Sequence, residues 1–131
     1  MRILPLYASL LAFLFVALSI RTLRLRRSLK IAIGDSGSPA MLRAMRVHSN
    51  FAEYVPLSLV LIFMVESQAA HPYLIHALGL SLLVGRASHA YGVSQSEENY
   101  AFRVLGMAMT LTTLITCAVY LLASYVAKTG A

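Results

Sequence analysis

The sequence has few of the residues that build disulfide frameworks, metal centres or water-exposed surfaces. Its one cysteine, Cys117, excludes an intrachain disulfide and leaves no cysteine cluster for a metal. His71 and His76 have no carboxylate or cysteine at ligand spacing, so no metal site is expected. Charged residues make up only 12% of the chain, and no internal repeat or low-complexity linker divides it.

Composition indicates an integral membrane protein of one domain. The chain has 131 residues, of which 59% are hydrophobic, and a soluble core of this size could not hide so much apolar surface. The net charge of +6 does not indicate a nucleic-acid partner, because the arginines lie at the ends of apolar runs and not on an aromatic-rich basic surface. Membrane topology explains these arginines better.

Apolar runs predict an all-α, four-helix transmembrane bundle that occupies the whole chain, residues 1–131. The predicted helices cover about residues 3–33, 39–68, 72–92 and 97–127. Ser38 and Pro39 are typical of a helix start, with a hydroxyl as N-cap and proline at the first helical position. Glu97 and Glu98 suit the first turn of the fourth helix, where a carboxylate favours the helix dipole.

The first apolar run is interpreted as a transmembrane helix and not as a cleaved signal peptide. Residues 3–20 carry no charge and no small-residue cleavage pattern, and the basic residues in 21–30 follow at once. The positive-inside rule places this cluster, and the arginines at the start of helix 2, the end of helix 3 and the start of helix 4, in the cytoplasm. Both termini are then outside. The 21–30 cluster is interpreted as a topology determinant that meets anionic lipid, and not as a site.

A polar stripe at the start of helix 2 is the main functional signal. Four side chains recur at steps of three, four and three residues, which an α-helix places on one face. They are Arg43, Arg46, Asn50 and Glu53. The apolar run behind them, residues 54–65, extends about 18 Å against a hydrocarbon core of about 30 Å. The stripe therefore enters the membrane region, where ionisable groups face the bundle interior or a wet cavity.

The predicted topology brings basic residues of three helices to one side of the membrane. Residues 43–53 of helix 2, residues 86–91 of helix 3 and Arg103 of helix 4 share that side. Arginines outnumber Glu53 there, so an anion is expected to balance the remaining charge. Guanidinium groups bind carboxylates in two-point fashion, and a small polycarboxylate that carries a thiol would fit.

Structural interpretations of the same residues stay open beside this one. Arg43 is equally well explained as an interface anchor with its head group in water. An ion pair between Arg46 and Glu53 would fix helix packing without a ligand, and Asn50 alone is typical of an interhelical hydrogen bond. Three glycines are interpreted as close helix contacts and not as phosphate loops; they are Gly79, Gly85 and Gly106.

Three motifs connect the chain to a known family. They are Arg46-x-x-x-Asn50-x-x-Glu53, followed by Tyr54 and Pro56, in helix 2, Arg86-x-x-His89 at the end of helix 3, and Arg103 at the start of helix 4. Together with the four-helix order and the basic loop, they resemble the MAPEG family, the membrane-associated proteins in eicosanoid and glutathione metabolism. The resemblance covers nearly the whole chain and is greatest to the YecN-like branch of small bacterial inner-membrane proteins.

The resemblance implies a homotrimer of four-helix bundles in the bacterial inner membrane, where the positive-inside rule places both termini on the periplasmic side. Glutathione would bind between neighbouring subunits near the cytoplasmic face. Its backbone and charged ends would contact Arg46, Asn50 and Glu53. The other implied contacts are Arg86 and His89, with Arg43 and Tyr91 as further candidates.

The resemblance also implies a catalytic role for Arg103 beside the glutathione sulfur. A nearby fixed cation lowers the pKa of a thiol from about 8.5 and so favours the thiolate. The thiolate would attack a lipophilic electrophile that enters from the bilayer, as in a glutathione transferase or peroxidase.

Two departures from the family pattern bear on this activity. Several relatives have a tyrosine four residues after the position of His89, where this chain has Val93, and Tyr91 is two residues nearer. Val104 follows Arg103, so the serine of one prostaglandin-forming relative is absent. The alternative is a non-catalytic lipid-binding or scaffolding trimer. A small transporter is disfavoured, because the polar groups gather at one membrane face and no paired broken helices appear.

Overall fold

The computed structural model describes residues 2–130 and contains four α-helices. They are α1 (Leu4–Ser28), α2 (Pro39–Ser67), α3 (Pro72–Ser94) and α4 (Tyr100–Thr129). No strand occurs within residues 2–130. The prediction of an all-α membrane four-helix bundle is confirmed, while the first and last residues of the predicted domain, Met1 and Ala131, lie outside the described residues.

The first helix ends at Ser28 and not near residue 33, as the sequence predicted. Lys30 has a positive φ of 55°, a left-handed conformation that a right-handed helix of L-residues does not continue through. Arg26 holds the following loop, since its Nη1 donates to three loop carbonyl oxygens. They belong to Ile31, Ala32 and Gly34, at 3.4, 3.2 and 3.2 Å.

Helix α2 begins as predicted, whereas α4 begins later than predicted. The Ser38 hydroxyl accepts a hydrogen bond from the Met41 N–H at 3.3 Å. In α4 the N-cap is Asn99, whose side chain accepts from the Phe102 N–H at 3.3 Å. Glu97 and Glu98 therefore precede the cap instead of forming the first turn of α4. At the other side of this loop, α3 continues to Ser94, two residues beyond the predicted end.

Three helices, α1, α2 and α4, are long and apolar enough to cross a membrane. The sequence predicted that α3 also spans the membrane, but α3 falls outside this set because it carries Arg86, His76 and His89 among its 23 residues. Packing compensates for two of these polar groups, since Arg86 and His89 are only 2% and 6% exposed. α3 contacts each of the other three helices, so protein and not lipid surrounds most of its polar part.

Two glycines bring the backbones of α3 and α4 together. A Cβ atom on Gly106 would lie 2.5 Å from the Gly85 carbonyl oxygen and 2.6 Å from the backbone nitrogen of His89. Small residues permit this approach between membrane helices, in agreement with the interpretation of these glycines from the sequence. The contact places Arg86 and His89 directly beside the first turns of α4.

Candidate functional site

A basic cavity opens at the end of the bundle where α2 begins, α3 ends and α4 begins. Its volume is about 290 Å³, and we call it the arginine cavity. Six of the eight site residues predicted from the sequence line it. They are Arg43, Arg46, Asn50, Glu53, His89 and Arg103. The structure therefore brings side chains from three helices to one place.

Helical periodicity places the α2 stripe in this lining. The core face of α2 at this end consists of four buried residues, Met41, Ala44, Val47 and Phe51. The polar stripe of residues 43–53 occupies a neighbouring face, which the core does not cover. Local sequence spacing alone sets this arrangement.

Arg86 lies behind the arginine cavity and not in its lining. Its Nη1 donates to Asn50 Oδ1 at 2.6 Å, and its Nη2 donates to the Gly106 carbonyl oxygen at 3.2 Å. Its guanidinium carbon is 5.7 Å from the centroid of the Tyr54 ring. Arg86 thus joins α2, α3 and α4, and within residues 2–130 no carboxylate forms an ion pair with it.

The Arg86 contact determines the orientation of the Asn50 amide. A guanidinium group only donates hydrogen bonds, so the Asn50 oxygen is directed towards Arg86. The Asn50 NH₂ group is then the part of the amide left to donate to a guest. A donor amide beside several arginines suits a carboxylate, and the buried cation behind it adds a positive field.

Arg103 forms an ion pair at the mouth of the arginine cavity. Its Nη1 lies 2.6 Å from Glu98 Oε2, and the two side chains are 46% and 28% exposed. So exposed a pair contributes about 0–1 kcal/mol. A ligand anion can therefore replace Glu98 with little loss of free energy. Glu98 was not predicted as a site residue. Its contact with Arg103 depends on how the loop before α4 folds, and the spacing of the two residues in the sequence does not indicate it.

Two structural interpretations from the sequence, an ion pair between Arg46 and Glu53 and an interhelical hydrogen bond from Asn50, can be compared with the structure. Within the described residues, Arg46 and Glu53 form no ion pair, so packing through such a pair does not explain them. Asn50 does form an interhelical hydrogen bond, to Arg86, and it also lines the cavity. Both interpretations of Asn50 therefore apply.

The last turns of α3 contribute His89 and Val93 to the arginine cavity. Val93 is buried and forms an apolar wall at the position where the resemblance expects a tyrosine. Tyr91 does not line the cavity; it is 55% exposed and packs edge-to-face on Phe102, with ring centroids 5.2 Å apart. In this chain the Tyr91 hydroxyl does not replace the missing tyrosine.

Within residues 2–130, no group of three or more histidine, cysteine or acidic side chains is placed to hold a metal ion. The polar lining of the arginine cavity combines three arginines with two glutamates, a serine, an amide and a histidine.

The helices and the cavity together define a membrane-embedded bundle with a cationic site at one end. The chain belongs to the MAPEG family, whose family model matches residues 4–123. It is similar to inner membrane protein YecN of Escherichia coli (strain K12), with 36% identity over 110 residues, 84% of this chain and 82% of the relative. The same figures hold for inner membrane protein YecN of Escherichia coli O6:H1 (strain CFT073).

Proposed function

We propose that the chain binds glutathione or a similar small thiol in the arginine cavity. The charge of the site is the observation that carries this proposal. Arg43, Arg46 and Arg103 line the cavity and Arg86 lies behind it, against two acidic residues, Glu53 and Glu98. Four cations and two carboxylates leave two positive charges. Glutathione in its thiolate form, with two carboxylates and one ammonium group, carries an equal negative charge.

The proposed roles follow the geometry of each side chain. The arginine forks of Arg43 and Arg46 suit the glutathione carboxylates, and Glu53 suits its ammonium group. Asn50 supplies an amide donor that Arg86 orients. Arg86 itself acts as a positioning residue through Asn50, and not as a direct ligand.

We further propose that Arg103 stabilises the glutathione thiolate. A thiol of pKa about 8.5 is mostly neutral at pH 7, and a guanidinium group beside the sulfur raises the thiolate fraction. The thiolate would attack an electrophilic carbon of a lipophilic substrate that arrives from the bilayer. As the new sulfur–carbon bond forms, either the leaving group departs with its bonding electron pair, or the π electron pair of an activated double bond shifts onto the electron-withdrawing group and a proton from water completes the adduct.

The proposed assembly is a homotrimer, in which a neighbouring subunit completes the site. The cavity of one chain, about 290 Å³, is at the lower limit of the roughly 300–1,000 Å³ typical of small-molecule sites. Exposed apolar side chains on α1 and α4, such as Phe13 and Ile115, are available to neighbouring subunits or to lipid. We place the cavity on the cytoplasmic side and both termini on the periplasmic side, following the positive-inside rule.

The second candidate function is a non-catalytic lipid-binding or scaffolding trimer. Two observations favour it: Arg103 is already paired with Glu98, and Val93 replaces the tyrosine that the resemblance expects. Both weaken catalysis more than they weaken binding of a small anion.

Thiol-dependent turnover of a generic lipophilic electrophile by the purified protein distinguishes the two functions. The first function predicts turnover that Arg103→Ala abolishes, while glutathione still raises the unfolding temperature of the variant. Turnover that is unchanged in Arg103→Ala would remove the thiolate role. Absence of turnover in the unsubstituted protein, with glutathione binding retained, would favour the second function.

A further inference from the structure

A second basic cleft lies beside the arginine cavity, between the end of α1, the start of α2 and the end of α3. Its volume is about 710 Å³, and we call it the α1 cleft. The polar part of its lining is Arg21, Arg24, Ser28, Arg43 and Ser94. Arg43 lines both the α1 cleft and the arginine cavity.

The structure divides the basic cluster of residues 21–30 into groups with different surroundings. Arg26 is used to hold the α1–α2 loop through its carbonyl oxygens. Arg27 and Lys30 lie with that loop, outside the α1 cleft. Only Arg21 and Arg24 enter the cleft. The surroundings of these two residues therefore differ from those of the rest of the cluster, while the role of the cluster in topology stays a prediction.

Among the described residues, those that line the α1 cleft include three arginines and no acidic side chain. Arg21 donates to the Ser94 hydroxyl, a neutral partner that joins α1 to the end of α3. Within residues 2–130, neither Arg24 nor Arg43 forms an ion pair. Arg43 is shared with the arginine cavity, so Arg21 and Arg24 are the two arginines that line the α1 cleft alone. Two adjacent cations without a carboxylate beside them attract an anion from outside the chain.

The polarity of the α1 cleft changes along the axis of α1. Ala17 and Ile20 form its wall towards the middle of the helix, and Ile20 is 42% exposed. Arg24 follows Ala17 by seven residues, which is about 10 Å along a helix. Ser28 lies one turn further. Along α1, the cleft therefore presents first apolar surface, then cations, then a hydroxyl group. This order matches the acyl chain, the phosphate and the polar head group of a phospholipid.

We propose that the α1 cleft binds the phosphate of an anionic phospholipid. The phosphate contacts Arg21 and Arg24, and an acyl chain lies along the exposed apolar surface beside Ile20. Guanidinium forks match phosphate oxygens, and basic pockets between membrane helices on the cytoplasmic side bind such head groups. This site needs no glutathione, so it does not depend on the function proposed for the arginine cavity.

Delipidated protein in a neutral detergent, titrated with dioleoyl phosphatidylglycerol and followed by native mass spectrometry, tests this proposal. The unsubstituted protein should bind phosphatidylglycerol in preference to phosphatidylcholine. The double variant Arg21→Gln/Arg24→Gln should lose roughly 25-fold in apparent affinity, about fivefold per arginine. The matched control Arg27→Gln/Lys30→Gln removes the same net charge outside the cleft, where salt screens its effect on the bound phosphate, and should change the affinity less than about twofold.

Two other results of the titration would overturn the proposal. Equal losses in the cleft variant and the control would show that general charge, and not a site, attracts the lipid. Equally strong competition by glycerol phosphate or inorganic phosphate, mole for mole, would identify a free phosphate site.

The double variant could fail to fold, because Arg21 also donates to Ser94. In that case Arg24→Gln alone should still lower the lipid affinity about fivefold. The cleft double variant should keep its thermal stabilisation by glutathione, which separates this site from the arginine cavity.

Discussion

The two ends of the bundle use their polar side chains differently. At the end where α1 begins and α2 ends, polar groups form hydrogen bonds within the chain, although the second oxygen of Glu66, Oε2, is buried without a hydrogen-bond partner among the described residues. Glu66 Oε1 accepts hydrogen bonds from the backbone N–H groups of Ile3 and Leu4, at 2.5 and 3.2 Å. In the same half of the bundle, the Tyr7 hydroxyl lies 2.9 Å from His76 Nδ1. These contacts connect α1 to α2 and α3.

At the other end, which holds the arginine cavity and the α1 cleft, cations outnumber the carboxylates that face them. One ion pair, between Arg103 and Glu98, is formed in the part of the chain that the structure describes, and it is half-exposed. Polar groups at the first end hold helices together, and we propose that those at the basic end bind a partner outside the chain. Substitutions of polar side chains at the two ends should therefore separate stability from binding.

The largest effect is expected from Gly106→Ala, which breaks the α3–α4 contact beneath the arginine cavity. The new Cβ would lie 2.5 Å from the Gly85 carbonyl oxygen, and backbone atoms cannot move aside as a flexible side chain can. We expect a loss of about 3 kcal/mol in the free energy of unfolding, measured by thermal unfolding in detergent, and weaker glutathione binding below the transition.

Gly79→Ala is the matched comparison for Gly106→Ala at the first end. Its Cβ would lie 2.3 Å from the Tyr7 ring, so it should also lower the unfolding temperature, but it should leave glutathione affinity unchanged. An unfolding temperature unaffected by Gly106→Ala would contradict the close backbone contact.

Glu66→Ala should destabilise the protein without affecting the site. It leaves the N–H groups of Ile3 and Leu4 without their acceptor, which should lower the free energy of unfolding by about 2 kcal/mol. Chemical denaturation in detergent measures this loss. Glu66→Gln keeps an acceptor oxygen and serves as the control, with a smaller loss. A change in glutathione affinity in either variant would show that the two ends are coupled.

Arg86→Met should affect binding more than stability. Methionine replaces the unbranched stem of arginine and fills much of its space, so the change removes the buried cation and the hydrogen bond to Asn50 without emptying the site. Relief of the desolvation of a buried charge should offset much of the lost hydrogen bonding. Glutathione affinity should fall about tenfold, or about 1.4 kcal/mol, measured by calorimetry. An unchanged affinity would show that the orientation of Asn50 is irrelevant to binding. Arg86→Lys keeps the charge, and its glutathione affinity should lie between those of the unsubstituted protein and Arg86→Met.

The smallest effect is expected from Glu98→Gln, which frees Arg103 from its ion pair. Stability should change by less than about 1 kcal/mol. Glutathione affinity should rise by up to about fivefold, since the guest no longer competes with Glu98. Glu97→Gln removes the neighbouring acid, which does not line the cavity, and should have no effect. A lower affinity in Glu98→Gln would instead make Glu98 a ligand contact.

The sequence predicted correctly those features that depend on residues close together in the chain. The Ser38 and Pro39 helix start and the face shared by Arg46 and Asn50 depend on residues within a few positions, so the sequence contains them. The ends of α1 and α3 and the start of α4 were less well predicted. A left-handed residue at Lys30 stops α1, and no charge or apolar pattern indicates such a conformation.

The parts of the site that were not predicted depend on contacts between distant elements. Arg86 was predicted to complete the pocket, and the approach of α3 to α2 and α4 places it behind Asn50. Glu98 was assigned to a helix start, but the loop before α4 turns it towards Arg103. Tyr91 was a candidate contact, and the register of α3 directs it to Phe102. Helix packing, which a single sequence does not encode locally, decides all three.

Calorimetric titration of the detergent-solubilised protein with glutathione tests the central claim, that the unpaired cations at the basic end bind a small acidic guest. We expect measurable heat at millimolar glutathione. Arg46→Gln should lower the affinity roughly tenfold or more, because it removes a charge-assisted hydrogen bond. Lys128→Gln should leave the affinity unchanged. Lys128 donates to Gln68 near the opposite end, so this control removes the same charge far from the cavity. No heat with the unsubstituted protein, or equal losses in the two variants, would contradict the account.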